Sequence, residues 1–174
     1  MMELLINILG KFTSYNFFNN LYPGVLFVFL LRNIYGIELE WKNWIEAISV
    51  CYFIGMIMSR LGSIVIEPGL KKLSIIEYIS YSDYIKASNI NTPINILSET
   101  NNTYRTLLAM FFFLLLLKIG IMVNVLCLSH GITFFQDYKE WGSLIFFVVL
   151  FGFSYKKQTA YIYKRVSEVL RQNG

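Results

Sequence analysis

The chain has 174 residues, of which 56% are apolar and only 15% charged, and it carries 15 phenylalanines and 12 tyrosines. A soluble domain holds more charge and fewer aromatics, so this balance excludes an ordinary soluble globular fold and fits an integral membrane protein. The formal net charge of +4 does not call for nucleic acid, because basic loops on one membrane face give the same excess.

Near the N-terminus, Leu4, Leu5, Ile8, Phe12 and Tyr15 recur at helical spacing. This predicts an interfacial helix over 1–20, lying along the membrane surface. The other reading of that stretch is a plain extension of the first span. No basic n-region precedes it, so a secretory signal is not expected. Pro23 suits the first turn of a new helix, where a missing N–H costs nothing. The first transmembrane span is expected at 21–37, with Arg32 toward one end where its stem reaches the headgroups. A polar turn at 38–43 leads to the second span, 44–66. That span is flanked by Trp41 and Trp44 and is long enough to cross a hydrocarbon core of about 30 Å.

Pro68 and Gly69 punctuate the chain after the second span. The polar insert 67–105 follows. In it Leu70, Leu73, Ile76 and Ile79 predict a helix over 69–88, and residues 89–93 form a break. Ser98, Thr100, Asn101 and Asn102 offer N-caps for the next helix. The third span, 106–128, is the most apolar. The loop 129–140 contains His130, the one histidine. The fourth span, 141–155, is only about 15 residues and so is expected to continue outward as a basic amphipathic tail, 156–174. The expected fold is therefore all-α and polytopic, a single membrane domain with four transmembrane helices, an N-terminal interfacial helix and a cytoplasmic helical insert.

Positive charge orients the loops. Lys11 lies on one side together with Arg60, Lys71, Lys72, Lys86 and Arg105 of the insert and with Lys156, Lys157, Lys164, Arg165 and Arg171 of the tail. Only Arg32, Lys42 and Lys139 lie on the other. By the positive-inside rule the termini and the insert face the cytoplasm, and the expected location is a bacterial inner membrane.

Catalytic patterns are missing. His130 stands alone on the far side from any nucleophile, and there is no G-x-S-x-G, H-E-x-x-H or glycine-rich phosphate loop. Cys51 and Cys127 lie in apolar runs with no further ligand pair, so neither a disulfide nor a metal site is expected. Neither an enzyme nor a cofactor is expected.

Lys118 is the sharpest signal. The third span centres near Leu117, and an ammonium at that depth costs ~2.5–3.5 kcal/mol. The matching level of the second span, around Gly55, holds no carboxylate. One reading makes Lys118 line a water-filled passage between several copies, with Asn124 a second lining candidate. The other has it snorkel, held by Asn124, a tyrosine hydroxyl or a lipid headgroup. Arg60 and Glu67 share a helix face at i, i+7. With Glu99 and Arg105 they predict an inner-leaflet ion-pair cluster, either a latch or a gate. Tyr78, Tyr81 and Tyr84 recur every third residue among Lys71, Lys72 and Lys86. That mixture suits nucleotide bases and phosphates, and equally an anionic lipid surface.

The strings YPG at 22–24, SRLGSIVIEP at 59–68 and NNTYRT at 101–106 resemble those of small four-span bacterial membrane proteins encoded in anti-phage defence loci. The resemblance implies an effector that opens a conduit or disrupts the envelope when a nucleotide or oligonucleotide signal changes. The expectation is a homo-oligomeric channel or pore-type effector gated from the cytoplasm. The alternative is a non-catalytic membrane anchor or accessory subunit recruiting a cytoplasmic protein partner through its basic tail.

Overall fold

A computed structural model describes residues 14–128 and 138–173, with side chains described for 15–123 and 139–173. The described chain is helical, with no strand among the described residues. A helical turn Ser14–Asn16 and a π-helical segment Phe17–Leu21 run into α1, Tyr22–Tyr35. Helix α2, Trp44–Leu61, passes through a second π segment, Gly62–Ile66, into the short α3, Glu67–Lys72. Then follow α4 (Tyr81–Ile90), α5 (Pro93–Leu128) and α6 (Tyr138–Asn173).

Both π segments sit two residues ahead of a proline, Pro23 and Pro68. A proline ring clashes with the carbonyl four residues back and offers it no donor. The wider π turn moves that carbonyl aside, so the helix survives. Pro23 and Pro68 therefore do not start or stop a helix as the sequence suggested. The first helical run extends from at least Ser14, which is the extension reading for residues 14–20; the remainder of the expected interfacial helix, 1–13, lies outside the described residues. The second run continues to Lys72. Where the chain does turn, glycine marks the end of α1: Gly36 takes the left-handed conformation (φ +66°) and donates its N–H back to the Arg32 carbonyl.

The expected helix over 69–88 is two pieces. It stops at Lys72, and Ser74 adopts a left-handed conformation (φ 54°). A non-helical stretch leads to Ser80, whose hydroxyl accepts from the Asp83 N–H and caps α4. The break expected at 89–93 is narrower, only Asn91 and Thr92, because α4 runs to Ile90 and the next helix starts at Pro93, ahead of the expected caps. Ser98, Thr100, Asn101 and Asn102 therefore lie inside α5, freeing Asn101 and Asn102 to bond sideways.

Helices α5 and α6 have 36 residues each, about 54 Å of rise. They pack antiparallel along most of their length, and α5 is the hub against which α1, α2 and α6 all pack. One core cluster joins Leu31, Met58, Leu107, Met110, Phe111, Leu114 and Leu144. Phe111 stacks on Phe147 and Phe151 at centroid distances of 4.6 and 5.5 Å. A separate cluster, Ala87, Ile94, Ile162, Val166 and Val169, closes α4 over the N-terminal part of α5 and the C-terminal part of α6. The basic tail is thus one helix of a small three-helix head.

Among the described residues, two helical runs are long and apolar enough to cross a membrane, Trp44–Lys72 and Pro93–Val123. Of the most apolar window in the first, only 22% of residues are buried. Its apolar side chains face outward, unlike those of a soluble core helix.

Candidate functional site

Three polar layers cross the interior, and each ties α5 to its neighbours. In the first, Glu67 accepts from Arg105 Nη1 at 2.6 Å and from Lys71 Nζ at 2.8 Å. The Arg105 and Glu67 side chains are 13% and 16% exposed. Gly62 permits this approach, since an added Cβ would stand 3.2 Å from Arg105 Cγ. Of the four residues expected to cluster, the structure unites Glu67 and Arg105; Arg60 and Glu99 are exposed, and neither joins this pair. The π segment explains why. A π turn holds more residues than an α turn, so Arg60 and Glu67 no longer share a face at i, i+7.

Beside that pair lies a tyrosine-centred group. Tyr155 is fully buried, and its hydroxyl meets that of Tyr78 at 2.5 Å. Asn101 Nδ2 donates to Tyr78 at 3.4 Å, and the Thr159 hydroxyl donates to Asn101 Oδ1 at 3.1 Å. Lys71 Nζ stands 4.1 Å over the Tyr78 ring, a cation–π contact. The remaining aromatic and basic residues of the insert disperse. Tyr81 is 79% exposed, Tyr84 donates to Asn95 at 3.1 Å, and Lys72 and Lys86 are exposed. The three-residue tyrosine spacing is not a helical stripe, because Tyr78 lies in the non-helical stretch before α4.

The second layer was not anticipated. Asn19 and Asn20 look like interruptions of an apolar run, yet both are buried. Asn19 Nδ2 donates to Ser59 Oγ and to Asn20 Oδ1, each at 3.0 Å, and Thr106 Oγ1 donates to Asn19 Oδ1 at 3.0 Å. Asn20 Nδ2 reaches the Tyr52 hydroxyl at 3.4 Å. The adjacent Asn–Asn pair in an apolar run was the available signal, since amides in such a setting need partners on other helices. The helices here nearly touch. A Cβ added at Gly24 would fall 1.7 Å from the Cys51 carbonyl oxygen, and one at Gly55 the same distance from that of Asn20.

The third layer surrounds Lys118, which is only 7% exposed. Its Nζ donates to Glu140 Oε2 at 2.5 Å and lies 6.0 and 5.7 Å from the ring centroids of Tyr35 and Trp141. The Tyr35 hydroxyl donates to the Leu114 carbonyl at 2.6 Å. Lys118 is therefore level with the last turn of α1 and the first turn of α6, and its carboxylate comes from α6. The side chains of Asn124 and Cys127 lie outside the described ones, as do residues 129–137, which include His130.

Charges in these layers are compensated and amides are paired, so the arrangement fixes the relative positions of helices. Among the described residues no group of three or more His, Cys, Asp or Glu could hold a metal ion. No protein-family model, curated protein or solved structure matches this chain.

Proposed function

We propose that the chain is a multi-pass adaptor of a bacterial inner membrane, spanning it four times with both termini and the α4 head in the cytoplasm. Its role is to hold the head at the membrane for a cytoplasmic protein partner. The observation that carries this reading is the continuity of α5 and α6. Each runs unbroken from the apolar module into the head, where Ala87, Ile94, Ile162, Val166 and Val169 close a separate core. Support for four spans comes from the outward faces. Val25 and Phe29 on α1 and Ile145, Phe146, Val149 and Phe153 on α6 are all at least 48% exposed, which suits lipid as the surrounding solvent.

The pore-type effector of anti-phage defence remains the rival. Its strongest motive was a buried lysine with no carboxylate at its depth, which several copies would have to shelter. Glu140 supplies that carboxylate within one chain, and between the polar layers the space among α1, α2, α5 and α6 is filled by apolar side chains. The rival retains the exposed apolar face of α2, against which further copies could pack. Purified full-length protein in planar bilayers separates the two. The adaptor is expected to give no unitary conductance and a single small species in detergent. Unitary currents whose ion selectivity reverses in Lys118→Glu would overturn the adaptor and establish the pore.

A further inference from the structure

One face of α6 carries two chemistries in succession. Phe146, Leu150 and Phe153 are 59%, 42% and 68% exposed. Lys157, Tyr161 and Lys164 follow them at spacings of three and four residues, so all six share one stripe of the helix. The upper half of the stripe opens into a cavity of about 500 Å³, lined by Lys157, Gln158, Tyr161 and Lys164 of α6 and by Tyr104 of α5. The cavity sits where the apolar stripe of α6 ends. A recess of about 260 Å³ adjoins it, sharing Ala160 and Lys164 and adding Lys156 and Glu77. Glu77 lines the recess, whereas the charged residues lining the larger cavity are Lys157 and Lys164.

We infer that this stripe is a binding site for an anionic phospholipid, with the phosphate held between Lys157 and Lys164 and an acyl chain lying along Phe153, Leu150 and Phe146. Two lysines two turns apart on the stripe, with Tyr161 between them in the cavity lining, suit a phosphate that keeps its charge. Phe153 directly below supplies the apolar contact that a free phosphate or nucleotide would not use. The site rests on the membrane reading proposed above, and it gives the head a fixed height and rotation at the cytoplasmic leaflet. It also explains why the stripe turns basic within one helical turn of Phe153, where the helix leaves the hydrocarbon.

Native mass spectrometry of the full chain in a zwitterionic detergent tests this. The probes are palmitoyl-oleoyl phosphatidylglycerol, the phosphatidylcholine with the same chains, glycerol 3-phosphate and adenosine monophosphate. The expected result is retention of phosphatidylglycerol about tenfold above phosphatidylcholine, and an about tenfold loss in Lys157→Gln/Lys164→Gln. Lys72→Gln/Lys86→Gln removes the same charge from exposed positions elsewhere and should retain the lipid as the unaltered chain does. Phe153→Asn, which changes no charge, should weaken retention severalfold. Equal retention by the Lys157/Lys164 variant overturns the site. Glycerol 3-phosphate or adenosine monophosphate binding as tightly as the lipid overturns it too, by assigning the cavity to a soluble phosphate. Release of the chain from membranes by alkaline carbonate would refute the membrane reading itself, whereas detergent-dependent extraction with no headgroup preference refutes the lipid site alone.

Discussion

Lys118 and Glu140 lie on successive antiparallel helices and meet at 2.5 Å, with the lysine side chain 8% and the glutamate 35% exposed. The pair welds α5 to α6 at one end of the module, as Asn101 and Thr159 do nearer the other. It also changes what removing the lysine should do. An unpaired intramembrane lysine would be replaced by leucine at no loss, but here Lys118→Leu strands Glu140.

A double-mutant cycle measures the pair. Lys118→Leu and Glu140→Gln are each expected to lower stability by about 2 kcal/mol, below the roughly 3–5 kcal/mol of a fully buried pair because Glu140 is partly exposed. The double variant is expected to recover most of that loss. Thermal unfolding in detergent provides the readout, and additive losses would mean that the two side chains do not interact.

Arg105 and Arg60 should behave differently despite their similar level along the bundle. Arg105→Met leaves Glu67 with Lys71 as its remaining cation and removes a mostly buried guanidinium, so a loss of about 2–3 kcal/mol is expected. Arg60→Met on the exposed face should change stability by less than about 0.5 kcal/mol. Equal effects would return Arg60 to the latch.

Glycine substitutions sort by what an added Cβ would meet. Gly55→Ala drives a methyl group into the Asn20 backbone and should cost about 3 kcal/mol or prevent folding, because backbone cannot yield as a flexible side chain does. Gly120 and Gly142 face open space. Replacing either with alanine should leave stability unchanged or raise it by up to about 1 kcal/mol through helix propensity. Melting temperatures of the three variants, measured side by side, give the order directly.

Topology has its own test. A cysteine introduced at Lys139 should react with an impermeant maleimide added to intact cells, and cysteines at Lys86 and Lys164 should react only after the membrane is opened. Reaction of Lys86 or Lys164 from outside would reject the four-span arrangement with a cytoplasmic head.

The sequence by itself determined the helical character, the stretches of hydrophobicity and the existence of a turn within 89–93, because these follow from local periodicity and from the backbone limits of proline and glycine. It also placed Glu67 with Arg105 and took α6 past the fourth apolar stretch into the basic tail. Only the tertiary structure decided the rest. Pro23 and Pro68 look like boundaries in one dimension, yet each is absorbed by a π turn whose carbonyl must be accommodated by neighbouring helices. Tyr78 appears to belong to a periodic stripe until the left-handed Ser74 and the Ser80 cap remove it from any helix and deliver its hydroxyl to Tyr155. Asn19 and Asn20 read as breaks because their partners, Ser59, Tyr52 and Thr106, are distant in sequence. Lys118 looked unpaired for the same reason: its carboxylate sits at the head of the next helix, and only the antiparallel packing of α5 on α6 brings the two charges together, since electrostatic attraction depends on distance in space and not along the chain.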